Sequence, residues 1–287
     1  MIRTIAGQEV VRASYALRQH FRYEYPGPIQ HLRHRLVVAP PIVYGDQVRI
    51  TEKLRVTPDL PVRWLRDSFG NAVIAIEADR VEHAIQLEYE AILERSPAPL
   101  PTIDPSALTD KRYFERTKLT MPSEALHEAA RALLAGTEDP GGALPDRINS
   151  FVARHMRYVS GATNVETTAA EAFARGEGVC QDYAHVMLAL CRLCRVPARY
   201  VSGHLLGEGG THAWVEVLQT APAPFRAVAV GYDPTHARRT NLDYVFVAAG
   251  RDYADVAPTS GCFVAPYVGR FTTGRRVDVV DVEYAAA

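Results

Sequence analysis

A cysteine at a predicted helix start is the first residue of chemical interest. Cys180 follows the turn Gly176-Glu177-Gly178, and apolar side chains then recur at intervals of three and four from Tyr183 to Cys194. This period is typical of one face of an α-helix. Cys180 would lie in the first turn, where unpaired backbone N–H groups and the positive end of the helix dipole favour the nucleophilic thiolate. The position alone does not distinguish a nucleophile from an inert packing cysteine.

A base and an orienting acid for this cysteine occur downstream. His212 follows a glycine-rich loop and begins an alternating segment typical of a strand, and Asp233 ends a second short apolar segment before Pro234. If these two strands are neighbours, Asp233 can accept a hydrogen bond from one imidazole nitrogen and leave the other facing Cys180. Singly, His212 could be a structural strand histidine and Asp233 a turn residue. Their combination with Cys180 predicts a Cys-His-Asp triad.

Several blocks of this sequence resemble a known family. Gly-Val-Cys-Gln-Asp-Tyr-Ala-His (178–185), Pro-Ala-Arg-Tyr-Val-Ser-Gly (197–203), Thr-His-Ala-Trp-Val-Glu (211–216) and Tyr-Asp-Pro-Thr (232–235) resemble the core of the transglutaminase-like superfamily of papain-like thiol enzymes. Arg-Asp-Ser-Phe-Gly-Asn (66–71) resembles a signature of the bacterial transglutaminase-like N-terminal region. The resemblance implies that Cys180 is the nucleophile, His212 the base and Asp233 the orienting acid.

The surroundings of the triad are less well defined by sequence. The backbone N–H of Cys180 is an expected oxyanion donor, because groups at a helix N-terminus point toward developing negative charge. Gln181 and Tyr158 are candidates for the second donor, and Trp214 and Tyr232 are candidates for the pocket wall. Relatives usually carry a tryptophan ahead of the Asp-Pro-Thr block, where this chain has Ala-Val-Gly-Tyr (229–232). The shape of the pocket wall is therefore expected to differ from that of the relatives.

The triad and the resemblance together predict cysteine-dependent acyl chemistry on an amide, through a thioester on the cysteine. A primary amine as acceptor would give transglutaminase-like transfer, and water would give hydrolysis. Two alternatives stay open: a cysteine protease or isopeptidase acting purely as a hydrolase, and a catalytically silent binding module. The expected partner is a peptide or protein amide. No metal or other cofactor is expected, and without an EF-hand loop the calcium dependence of some animal relatives is not expected either.

Composition narrows the class of protein. The chain has 287 residues, a formal net charge of −1 and four cysteines. A net charge this close to zero gives no positively charged surface of the kind that binds nucleic acid. No apolar segment is long enough to cross a bilayer or to act as a signal peptide. Four cysteines are too few for a disulfide framework, which favours a cytoplasmic location. Cys191 and Cys194 form a C-x-x-C without a second metal-ligand pair, so buried thiols are expected there. The sequence does not decide whether the protein forms a homo-oligomer.

The hydrophobic pattern and the positions of turn residues divide the chain into three parts. Residues 1–100 contain about six alternating segments separated by turn residues, which predicts an all-β domain of sandwich or barrel type. Residues 101–122 read as a linker or wrapping segment. Residues 123–287 are expected to form the transglutaminase-like catalytic core together with C-terminal strands, in an α+β fold whose helical part carries the cysteine and packs on an antiparallel sheet carrying His and Asp.

Individual residues are expected to define the element ends. Asp67 and Asn71 are expected to hold a hairpin turn rather than to take part in chemistry. Ser123, Asp146 and Thr168 are expected to cap three helices. A loop is predicted at 138–142.

Overall fold

The computed structural model describes residues 9–97, 100–136, 143–221 and 226–285. The predicted loop at 138–142 lies outside these ranges. The described chain has the α+β fold that the sequence predicted, with a strand-rich N-terminal region and a core in which helices pack on a sheet. None of its helices combines the length and the apolar character that a membrane span needs.

The N-terminal region consists of antiparallel strands in two sheets. The strands are β1 (Val10–Glu24), β2 (Ile29–Leu36), β3 (Val43–Tyr44), β4 (Gln47–Thr57), β5 (Val62–Arg66), β6 (Ala72–Val81) and β7 (Ala84–Arg95). Six of them confirm the alternating segments of the sequence, and β3 is an additional two-residue strand. Side chains from both sheets meet in one apolar core that includes Tyr15, Phe21, Ile76 and Leu87, so the region is a β-sandwich.

A short connecting segment follows and contacts the core sheet. It contains β8 (Thr102–Ile103), which pairs with a later strand, and two single turns of 3₁₀-helix at Pro105–Leu108 and Lys111–Tyr113. The backbone of Pro101 also accepts a hydrogen bond from the N–H of Ala229. The segment therefore packs along the core sheet and is not a free linker.

Three of the described helices begin after residues whose side chains cap them, and the sequence predicted two of these caps. The helices are α1 (Glu124–Leu134), α2 (Leu144–His155), α3 (Ala169–Arg175), α4 (Cys180–Leu193) and α5 (Tyr253–Val256). Ser123 caps α1, and Thr168 with Glu171 forms a capping box on α3. The prediction for Asp146 was wrong: the N-cap position of α2 is Ala143, three residues earlier, and Pro145 lies in the first helical turn, where proline is favoured. Asp146 instead lies within that first turn and pairs with Arg239.

Helix α4 is the buried centre of the core. Its residues from Gln181 to Arg192 are all buried, and α1, α2 and α3 pack around it together with one face of a sheet. Two short parallel strands flank α3: β9 (Arg157–Tyr158) comes before it, and β10 (Glu177–Gly178) comes between α3 and α4. Their pairing brings Tyr158 beside the turn that precedes Cys180.

The sheet of the core has six antiparallel strands: five are in the order β14-β13-β12-β11-β15, and β8 pairs with β13. The five are β11 (Ala198–Leu205), β12 (His212–Thr220), β13 (Ala227–Asp233), β14 (Arg238–Arg239) and β15 (Tyr244–Gly250). Ala213, Val215 and Val217 of β12 pack under α4, and the alternate residue Trp214 lies in a separate cluster with Tyr244.

The last two strands lie in the N-terminal sandwich rather than in the core sheet. They are β16 (Thr259–Val264), paired with β2, and β17 (Arg270–Tyr284), paired with β1 over its whole length. The sequence had included them in the range 123–287. Alternation identifies a strand but not its partner, and β17 matches the 15-residue length of β1 at an open sheet edge.

Candidate active site

Strand pairing brings His212 and Asp233 together. β12 and β13 are antiparallel neighbours, with Val215 opposite Tyr232. Continued by one residue, this register puts Asp233 opposite Trp214, so that Asp233 and His212 are diagonal neighbours on one face. Nε2 of His212 lies 2.8 Å from Oδ2 of Asp233. The predicted neighbourhood of these two strands is confirmed.

Asp233 is a fully buried carboxylate that accepts four hydrogen bonds. Oδ2 accepts from Nε2 of His212, from Nδ1 of His236 at 2.7 Å and from the hydroxyl of Tyr244 at 2.7 Å. Oδ1 accepts from the backbone N–H of Thr235. Burial alone would raise the pKa of Asp233, but the hydrogen bond and positive charge of His212 and the other donors outweigh it and hold the pKa below its ordinary value. Asp233 is therefore charged and fixed in place.

The second nitrogen of His212, Nδ1, is the one left to act on Cys180. Because Nε2 donates to Asp233, the interaction between the ring and the Cys180 side chain is on the Nδ1 side. The Glu208 carboxylate also lies there, with Oε2 3.0 Å from Nδ1. Burial by itself lowers the pKa of His212, but its interactions with the side chains of Asp233, Cys180 and Glu208 outweigh burial and raise it to about 12. This arrangement favours an imidazolium beside Cys180.

The position of Cys180 is fixed by a buried carboxylate two residues later. Oδ2 of Asp182 accepts from the N–H of Val179 at 2.8 Å and from the hydroxyl of Thr163 at 2.6 Å. A Cβ atom on Gly178 would lie 2.6 Å from the Asp182 side chain, so only glycine fits there. Cys180 is the first helical residue, partly exposed, and its backbone N–H is one of those without a partner inside the helix.

The four candidates for oxyanion and pocket roles have different surroundings. Tyr158 is 56% exposed, and its pKa is raised by partial burial and by the nearby charges of Cys180 and Glu208, which puts its ring at the site. The side-chain amide of Gln181 donates to the carbonyl of Val165 at 3.3 Å. Trp214 and Tyr232 are buried, Trp214 beside Tyr244 and Tyr232 in the cluster under α4. Among these four, only Tyr158 is both exposed and near the triad.

Sequence reasoning missed two residues that the structure brings to the triad. In the sequence, Glu208 belongs to the glycine-rich loop before His212, and His236 could line the substrate cleft but is expected to be a surface or structural histidine. His236 is 37% exposed and shares the Asp233 oxygen with His212, and its Nε2 lies 3.9 Å from Oε1 of Glu208. The close spacing of Asp233 and His236 was the available signal, since residues three apart across a tight turn often contact each other.

The remaining cysteines are far less suited to nucleophilic chemistry. Cys191 and Cys194 are buried in or just after α4, as expected for packing thiols, and burial raises the pKa of Cys194 to about 11. Cys262 is exposed on β16 of the sandwich. It is the accessible thiol outside the triad among the described residues.

Comparison with known proteins agrees with this architecture. Residues 127–222 match the transglutaminase-like superfamily, and residues 15–94 match the bacterial transglutaminase-like N-terminal region. The first match contains Cys180 and His212 but ends before Asp233. The second contains the Asp67–Asn71 turn.

Individual relatives support the same assignment. An uncharacterized protein of Mycobacterium tuberculosis is 30% identical in an alignment of 222 residues that covers 68% of this chain and 70% of the relative. One of Mycobacterium leprae is 37% identical over 135 residues, 44% of each chain. The crystal structure of a Cytophaga hutchinsonii protein, provisionally named a cysteine protease, has a TM-score of 0.70 at 21% identity and covers 97% of this chain and 94% of its own. The fold is thus shared along nearly the whole chain, and the protein belongs to the transglutaminase-like superfamily, with the bacterial transglutaminase-like N-terminal region preceding its core.

Proposed function

We propose that the protein catalyses acyl chemistry on an amide of a peptide or protein, through a thioester on Cys180. The observation that carries the proposal is the position of the His212 ring. One of its nitrogens is fixed by the buried Asp233 carboxylate, which leaves the other to act on the thiol at the start of α4, whose side chain interacts with the ring. This is the arrangement that an activated thiol nucleophile requires.

In the proposed first half-reaction, Cys180 is a thiolate paired with protonated His212, and Sγ attacks the amide carbonyl carbon. The carbonyl oxygen becomes an oxyanion, which the backbone N–H of Cys180 stabilises, with the Tyr158 hydroxyl as the candidate second donor. The proton on Nδ1 then passes to the leaving nitrogen. The C–N bond breaks, the amine departs and an acyl thioester remains on Cys180.

In the second half-reaction, an acceptor attacks the thioester while Nδ1 removes its proton, and Sγ leaves as the thiolate. A primary amine gives acyl transfer and water gives hydrolysis. Cys180 is partly exposed and its neighbour Tyr158 is more than half exposed, so water has access to the thioester. Because an acyl enzyme must exclude water to favour transfer, we propose hydrolysis as the outcome whenever no amine is bound.

The first test is the reactivity of the thiols. Limited iodoacetamide should alkylate Cys180 fastest, because His212 stabilises its thiolate, and peptide mass spectrometry would locate the label. Cys262→Ala serves as the matched control, since it removes the other accessible thiol but leaves the triad intact. Equal, slow reaction of Cys180 and Cys262 would contradict the proposal and favour a silent binding module.

The second test is the reaction itself. The protein is incubated with a peptide library, with and without a primary amine, and the products are weighed by mass spectrometry. Chain cleavage, loss of ammonia and addition of the amine leave different mass changes, so hydrolysis and transfer are distinguished in one experiment. An acyl adduct trapped on Cys180 and absent from Cys180→Ala supports the thioester.

We also propose a cytoplasmic location. Its support is compositional: the sequence has four cysteines in 287 residues, and a thiol nucleophile is maintained by a reducing compartment.

A further inference from the structure

An arginine from the sandwich reaches the loop that carries the catalytic histidine. Arg275 belongs to β17, and its Nη1 donates to the hydroxyl of Thr211 at 3.3 Å. Thr211 directly precedes His212, so the Cα atoms of these two residues are about 3.8 Å apart. The sandwich therefore places a positive charge beside the proposed active site.

The charge of Arg275 is not compensated by a carboxylate. None of the described Asp or Glu residues forms an ion pair with it, and its buried Nε has no hydrogen-bond partner among the described residues. Arg95 and Arg199 are also partly buried, but each lies 2.8 Å from a carboxylate oxygen, that of Asp46 and that of Glu216. A guanidinium that is partly buried without an anion is costly. Arg275 therefore has an unused capacity to bind one.

The polar side chains that act electrostatically on Arg275 are neutral at pH 7. Tyr23 and Tyr253 keep their protons, because burial raises the pKa of both hydroxyls. His204 is also close to Arg275, and burial lowers the pKa of its imidazole to about 4. An anion bound here would thus be attracted by a full positive charge that no neighbouring group reduces.

The guanidinium is held in place and is open to a ligand. Its Cζ lies 5.1 Å from the centroid of the Phe21 ring, a cation–π contact that restricts the side chain. Nη2 donates to none of the described residues, and Arg275 and Thr211 are both partly exposed. A Cβ atom on Gly209 or Gly210 would meet nothing within 4 Å, so the space beside the loop is open.

We propose that Arg275 is a specificity-determining residue, which binds a carboxylate of the peptide substrate near the amide on which Cys180 acts. The carboxylate accepts one hydrogen bond from Nη1 and one from Nη2, a bidentate geometry that suits a guanidinium. It belongs to an acidic side chain or to a free C-terminus. The role in catalysis rests on the proposed function, but carboxylate binding is measurable without turnover.

The test measures the binding of short fluorescent peptides to the full chain carrying Cys180→Ala, which cannot form a thioester. Each peptide has a glutamate at one position and is paired with the same peptide carrying glutamine there. Each is made with a free and with an amidated C-terminus. By fluorescence anisotropy, we expect a carboxylate peptide to bind about 10-fold or more tightly than its neutral counterpart. The pair that shows the preference identifies a side-chain or a terminal carboxylate.

Variants of Arg275 then separate recognition from a structural role. Arg275→Met, in the same background, removes the charge but keeps an apolar contact with Phe21, so it should abolish the preference and leave the affinity for neutral peptides unchanged. Arg275→Lys should restore part of the preference. Arg276→Met is the matched control, because the exposed Arg276 lies on the opposite face of β17 and pairs with Asp278. Thermal melting of each variant verifies folding.

The outcomes are distinct. Absence of any carboxylate preference in the Cys180→Ala protein, the same preference in Arg275→Met, or loss of the preference in Arg276→Met would overturn the proposal. An equal loss of affinity for glutamate and glutamine peptides in Arg275→Met would also overturn it, because a structural role acts on both. A protein that binds carboxylates through Arg275 but forms no thioester would refute the proposed function alone.

Discussion

The side-chain amide of Asn71 pairs with the backbone of Ala249 as a neighbouring strand would. Nδ2 of Asn71 donates to the Ala249 carbonyl at 2.7 Å, and Oδ1 accepts from the Ala249 N–H at 2.9 Å. Gln47 forms the same pair of bonds with Phe246. Both amides come from the N-terminal sandwich and both partners lie on β15, the edge strand of the core sheet. The sandwich therefore covers an edge that would otherwise be open to other chains.

Replacing Asn71 should destabilise the whole protein. In Asn71→Leu the buried N–H and carbonyl of Ala249 lose their partners, and we expect the free energy of unfolding to fall by about 2–4 kcal/mol. Urea titration followed by circular dichroism measures this. Gln30→Leu is the matched control, because Gln30 is exposed on β2. Equal stability of the two variants would mean that the Asn71 contact contributes nothing.

A methyl group at Gly178 should disturb the nucleophile. In Gly178→Ala the new Cβ would meet the Asp182 side chain at 2.6 Å, and Asp182 holds the N–H of Val179 beside Cys180. We expect alkylation of Cys180 to slow at least several-fold while the protein stays folded. Gly274→Ala is the control, since nothing lies within 4 Å of its added Cβ. Unchanged reactivity in Gly178→Ala would show that this turn does not position the thiol.

The carboxylate of Asp233 should matter more for turnover than for folding. In Asp233→Asn the amide can turn its N–H toward Nε2 of His212, which moves the imidazole proton to Nδ1 and removes the base from Cys180. By analogy with other triads, we expect kcat to fall by about 10²- to 10⁴-fold. Tyr244→Phe removes only one of the donors to Asp233 and should cost much less. Similar losses in the two variants would contradict the proposed role of the carboxylate.

Glu208 should set the alkaline limit of activity. His212 must be protonated to donate to the leaving amine, so activity falls as pH rises through its pKa. Burial lowers this pKa, but Asp233, Cys180 and Glu208 raise it to about 12. In Glu208→Gln one stabilising charge is lost and the pKa decreases, so the alkaline limb of kcat/KM should move to lower pH. A shift to higher pH, or none, would show that Glu208 does not act on His212.

The sequence by itself determined the local features of this protein. Alternation gave six sandwich strands, the Thr168–Glu171 box marked the start of α3, and the turn before Cys180 marked the start of α4. These features depend on residues a few positions apart, whose backbone geometry and capping bonds are set within one segment. The family blocks added which His and Asp to expect beside the cysteine.

Only the tertiary structure decided which distant groups meet. Alternation could not show that β17 pairs with β1, and nothing local indicated that Glu208 and His236 converge on His212. Tyr232 is buried under α4 while the adjacent Asp233 serves the triad, because successive strand residues point to opposite faces. Partner choice of this kind depends on the packing of the whole chain, in which many segments compete for the same edges and cavities.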